Sequence, residues 1–137
     1  MNRLNGTISH IEHNDSISLV DVSVESVVFS AILLETPASA PYLCVGEAVT
    51  LLFKETEVSL AKNLQGDLSL RNRFAAKVTH VDGGEILSAV TLNFMDKKIV
   101  SVITTRAVKR LKIAVGDTVE ALIKANEVAL MAGHHAD

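Results

Sequence analysis

The sequence has no tryptophan, one tyrosine, four phenylalanines, one cysteine and two prolines. An aromatic share of 4% leaves little for the stacking platforms on which single-stranded nucleic acid is bound. A net charge of -3 gives no general attraction to phosphate backbones or anionic lipid, so neither nucleic acid nor membrane is an expected partner. Cys44 has no second cysteine to pair with and reads as a small hydrophobe in the apolar run YLCVG. No stretch reaches the roughly 18 uninterrupted apolar residues of a membrane span. The opening MNRLNG lacks the basic segment and apolar run of a secretory signal, and the expected location is cytoplasmic.

Catalytic signatures are missing as well. There is no Gly-rich phosphate loop, no paired-cysteine metal spacing, no HExxH and no GxSxG. His10 and His80 fall inside strand patterns and read as strand histidines, and the tail GHHAD reads as a fraying end rather than a two-histidine metal site. The expected protein is not an enzyme.

What is present is an apolar share of 48% with 21% charged residues, the balance of a folded globular chain. It repeats itself at an offset of 70 residues. NRLNGTISHI lies over NRFAAKVTHV, and VGEAVTLLFKETEVSL over VGDTVEALIKANEVAL, with no gap between the blocks and 13 identities from Asn2 to Asn63. Two domains are expected, residues 1–62 and 69–133, joined by the turn-like NLQGDLS. Residues 1–62 hold three basic and eight acidic side chains, a net of -5; residues 63–137 hold ten and eight, a net of +2. An anion should prefer the second half.

GTISHIEH, AAKVTHVDG and SISLVDVSVESVVFSAILL carry the alternation and β-branched content of strands, with breaks near Ser26 and Asp96. TTRAVKRLKI is the one good helical stretch, with Thr104 or Thr105 as cap; its counterpart ETPASAPYLCV contains Pro37 and Pro41 and allows at most one short turn. The expected fold is all-β, two small OB-like β-barrel domains in tandem with one short helix per repeat. Units this small bury little core, so they should pack on each other or on further chains.

The polar segments group as LSLRNRF, SVITTRAVKR and IKANEV. Hydroxyls, an amide, a lysine and N–H groups at a helix start, with almost no carboxylate among them, suit a tetrahedral oxyanion; caps and solvated turns are the alternative reading. SLRN at Ser69 to Asn72, ITTRAV at Ile103 to Val108 and VGDTVEALIKANEV at Val115 to Val128 resemble the motifs of molybdate-binding Mop domains, the molbindin or TOBE fold. The resemblance spans the whole chain as a tandem pair.

That resemblance implies an oxyanion site from Ser69, Arg71, Asn72, Ser101, Thr104, Lys124, Ala125 and Asn126, with Asn2, Lys54 and Thr56 as the first repeat's remnant. Molybdate or tungstate would be held by hydrogen bonds, with no protein ligand on the metal and no organic cofactor. It further implies self-association as a homotrimer, and storage and homeostasis of molybdenum or, alternatively, regulation through a protein partner in molybdenum metabolism. The first repeat departs from the motif: Glu35 stands opposite Thr105 and Glu55 opposite Ala125.

Overall fold

The computed structural model describes residues 1–133, so the two histidines of the tail lie outside the described residues. The first half runs β1 (Asn2–His13), β2 (Ser18–Val24), β3 (Val27–Leu33), β4 (Ala48–Phe53), a 3-10 turn (Glu55–Glu57) and β5 (Ser59–Ala61). The second runs β6 (Asn72–Gly83), β7 (Leu87–Phe94), β8 (Lys97–Thr104), α1 (Thr105–Leu111), β9 (Thr118–Ile123), a 3-10 turn (Ala125–Glu127) and β10 (Ala129–Ala132). The strands of the two halves correspond at the same offset seen in the sequence.

The expectation of one short helix per repeat needs correction. α1 has no counterpart in the first half, where residues 35–41 form only turns. The two prolines explain this: each lacks the N–H a helix interior needs. In the second half Thr104 Oγ1 accepts the Ala107 N–H at 3.1 Å and caps α1. At its other end Lys62, the last residue of the first repeat, donates to the carbonyls of Leu111 (3.0 Å) and Lys112 (2.9 Å). A cation there satisfies free carbonyls and opposes the helix dipole.

β1 and β6 bury every second residue at their starts, then bulge at Ser9 and Thr79, where pairing shifts from Ile8 to His10 and from Val78 to His80. The extra residue increases twist, so each long strand serves two neighbours, β4 and β2 in one sheet and β9 and β7 in the other. Gly6 is required by that closeness, since a Cβ would meet the Ser23 carbonyl at 2.6 Å. At the equivalent place the second sheet accommodates Ala76.

Strand order is β10-β4-β1-β2-β3 in one sheet and β5-β9-β6-β7-β8 in the other. The last strand of each repeat has therefore left its own sheet and completed the other, β5 against β9 and β10 against β4. The open edges of each sheet, β10 and β3 or β5 and β8, approach one another. One apolar core runs through both halves, and at its centre Phe29 of the first half meets Phe74 and Phe94 of the second at centroid distances of 5.3 and 6.0 Å. No helix among the described residues is long and apolar enough to cross a membrane.

Two asparagines finish the interlock. Asn72 Oδ1 accepts the Ser30 N–H at 2.6 Å and its Nδ2 donates to the Ser30 carbonyl at 2.9 Å. Asn2 does the same to Val100, at 2.9 and 2.8 Å. Each side-chain amide thus takes the place of a strand partner on the open edge of β3 or β8, in the opposite half, where an unpaired backbone group would be costly.

Because exchanged strands and a shared core tie the halves together, chemical denaturation should give one transition by circular dichroism; two resolved transitions would contradict the interlock. Asn72→Ala, which strands the Ser30 backbone groups at a fully buried position, should cost about 1–3 kcal/mol in the same measurement.

Candidate functional site

The same exchange decides which polar residues meet. Asn72 pairs with Ile123 across β6 and β9, so Arg71 and Lys124, the next residues outward, lie side by side. Ser69 and Arg71 are exposed ahead of β6, Lys124 and Asn126 are exposed at the second 3-10 turn, and Ala125 is buried within it. This group sits against β3 of the first half, through the Asn72 clasp and the packing of the turn on that strand. It forms the first of two junctions.

Ser101 and Thr104 belong to the other junction. β8 packs on the first 3-10 turn, with Asn2 clasping Val100 and the buried Ser101 hydroxyl donating to the Val58 carbonyl at 2.6 Å. Lys54 and Thr56 are exposed on that turn, and Thr104 lies farther along β8 as the cap of α1. The residues that resemble one repeat's site are thus divided between two places, each built from both repeats. Asn2, Asn72 and Ser101 already hold backbone partners; the Ser69, Arg71, Lys124 and Asn126 side chains have no hydrogen-bond or ion-pair partner among the described residues.

Three further features were not marked by the motif. Around the start of β1, Met1, Asn2, Arg3, Glu55, Lys98 and Val100 line a cleft of about 370 Å³. Glu55 accepts the N-terminal ammonium there at 2.7 Å, and that bond holds its carboxyl below the usual range. Arg73, the counterpart of Arg3, is instead tied to Glu120. The offset of 70 makes Val28 and Lys98 equivalent to each other, and neither lies in a recognisable motif.

The two 3-10 turns also meet each other. Lys54, Glu57, Asn126 and Glu127 line one cleft of about 230 Å³, and the Glu57 carboxyl beside Glu127, by hydrogen bond and like charge, raises the Glu127 pKa. Glu35 accepts the Tyr42 hydroxyl at 3.0 Å; burial first, and then this carboxylate, push the Tyr42 pKa up to about 12. His10 and His80 are exposed at the bulges, and no group of three or more His, Cys, Asp or Glu side chains gathers as a metal site among the described residues.

An interlocked tandem β-fold with cationic, hydroxyl-bearing and amide-bearing turns at the junctions of its halves defines a class of small binding modules. The TOBE domain family model matches residues 68–130. The fold superposes on a crystal structure of the cytoplasmic molybdate-binding protein ModG with molybdate bound, with a TM-score of 0.89 and 28% identity, over 96% of this chain and 95% of that one. The molybdenum transport protein ModE of Herbaspirillum seropedicae is 34% identical over 73 residues, 53% of this chain and 27% of its own length. The molybdenum import ATP-binding protein ModC of Brucella abortus (strain 2308) is 36% identical over 81 residues, 58% of this chain and 23% of its own length. The chain spans about a quarter of the length of these two relatives. Residues 68–130 thus match the TOBE domain family, and the chain as a whole is similar to ModG along nearly all of its length.

The Glu57–Glu127 contact sets a pH dependence. A raised folded-state pKa means that stability from this carboxyl is complete below the ordinary glutamate value and is lost as pH rises through the raised one. Glu127→Gln should therefore melt slightly above the parent at about pH 7, with the gap closing at about pH 4, in paired thermal scans. An unchanged or lower melting temperature at neutral pH would show that the two carboxyls do not repel.

Proposed function

We propose that this chain is an intracellular, cytoplasmic molybdate-binding protein serving molybdenum storage and homeostasis. The observation that carries the reading is the junction at β3. There Arg71 and Lys124 are neighbours at the strand start, Ser69 and Asn126 flank them in sequence with no hydrogen-bond partner among the described residues, and the turn holds Ala125 where the first repeat has Glu55. The full-length similarity to a molybdate-bound ModG supports the same ligand.

On this reading the oxyanion lies against residues 69–72 and the second 3-10 turn. Arg71 and Lys124 supply charge, Ser69 and Asn126 supply donors, the Ala125 N–H adds one more, and Asn72 fixes the strand start. Ser101 and Thr104, with Asn2, Lys54 and Thr56, are the corresponding residues at the other junction, where Glu55 stands in the place of Ala125. Oxygen atoms accept every bond and the metal receives no protein ligand, so tungstate, an anion of the same shape, fits as well. The repeats, residues 1–62 and 69–133, act as two OB-like barrels that lend each other a final strand. Self-association as a homotrimer would add donors at exposed junctions and couple occupancy to assembly.

A second reading, regulation through a protein partner, draws on one observation. Arg106, Lys109, Arg110 and Lys112 are exposed on or beside α1, the one helix of the described residues and absent from the first repeat. An acidic partner surface would match it.

Purified protein should gain about 2.7 kcal/mol of stability at molybdate concentrations a hundredfold above Kd, with sulfate giving much less. Lys124→Ala should lose at least about tenfold in affinity, the scale of one charged hydrogen bond. Thermal scans with and without anion read both effects, and light scattering on the same samples should give the mass of three chains. No stabilisation by molybdate or tungstate at millimolar concentration would overturn the binding reading.

A further inference from the structure

The two junctions are built alike and charged differently. At the β3 junction the positions equivalent to the cleft at the start of β1 are Arg71, Asn72, Arg73, Ala125, Val28 and Ser30. Arg73 is committed to Glu120, Val28 is an exposed apolar side chain, and Ala125 offers no charge. At the β8 junction the same positions hold Met1, Asn2, Arg3, Glu55, Lys98 and Val100. Thr50 replaces Glu120, which leaves Arg3 without its carboxylate, and Lys98 replaces Val28.

Two differences therefore go together. Where the turn carries Glu55, the facing strand carries Lys98; where it carries Ala125, the facing strand carries Val28. An added carboxylate beside added cations leaves the cleft with an anion of its own, attached to the chain. Glu55 Oε1 is already held by an ammonium at 2.7 Å, with a lowered pKa that keeps it charged at neutral pH.

We propose that the cleft between the start of β1 and β8 is a latent oxyanion site, with Arg3 and Lys98 as its cations, and that the Glu55 carboxylate on its wall keeps an anion out. The inference rests on the oxyanion-binding reading above and adds a rule for the molecule: Glu55 decides how many of its two junctions fill. A carboxylate on the wall of a cleft repels a tetrahedral oxyanion and presents acceptors where the anion needs donors. Arg3 and Lys98 have no ion-pair partner among the described residues, and the cleft of about 370 Å³ that they line with Glu55 has room for a tetrahedral oxyanion once the carboxylate is gone.

The test counts molybdate per chain by native mass spectrometry on the full chain and on Glu55→Ala, Glu55→Gln and the double variant Glu55→Ala, Lys98→Ala. Glu55→Gln keeps the shape of the turn and guards against a packing failure in the alanine variant. The expected result is one additional molybdate per chain in both single variants and the parental count in the double variant. Equal counts in the parent and both single variants, with the parent binding molybdate, would overturn the inference and leave the binding reading intact. A Lys98→Ala variant measured alongside should keep the parental count; a lower count would overturn the inference too, since the cleft would then be open already. An empty parent beside single variants that each take up one anion would support the latent site and overturn the reading of the β3 junction. No uptake by any of them would overturn both.

Discussion

The exchange of the final strands is the constraint on which the remaining features depend. β5 completes the sheet of the second repeat and β10 that of the first, so each 3-10 turn is carried across to the other half and set against its edge strand. The asparagine at the start of each long strand then closes on that edge with two hydrogen bonds. Without the crossing there would be no composite junction, and Phe29 would not reach Phe74 and Phe94. A sheet of about sixty residues is marginal alone; sharing strands and core lets two such sheets stabilise each other without disulfides or a helical layer.

Duplication supplies the frame, and substitution gives its two copies different electrostatics. The second repeat carries most of the basic residues, the helix α1 and a turn with Ala125 where the first has Glu55. The first carries Glu55, Glu35 and the prolines that prevent a helix. The structure resolves these charges locally. Glu35 is engaged by Tyr42, Glu55 by an ammonium, and Glu57 meets Glu127 where the two turns touch. Charge of either sign at a junction is thus a local property of a few side chains, and the net charge of each half only sums them.

Much of this was legible in the residues. The offset of 70 holds through every strand, and the alternation at Asn2, Leu4, Gly6 and Ile8 marks one buried face. Thr104 caps α1, as its place before an amphipathic stretch predicts. Strand exchange was not legible, because NLQGDLS can lead the chain back to its own sheet or across to the other, and local preference is the same for both. The roles of Asn2 and Asn72 as clasps followed from that exchange and were hidden with it. Lys98 and Val28 sit in ordinary strands, and only the packing of β8 and β3 on the two 3-10 turns brings Lys98 into one cleft with Glu55 and sets β3 against Ala125.

The central claim is that the oxyanion is held where the two repeats meet. Crystals grown with molybdate and measured at the molybdenum absorption edge would locate the anion without reference to any mutation. The account predicts an anomalous peak within hydrogen-bond distance of Arg71, Lys124 or the Ala125 N–H, beside β3, and none in the cleft lined by Glu55. A peak remote from both junctions, or no ordered molybdenum in crystals soaked to saturation, would contradict it.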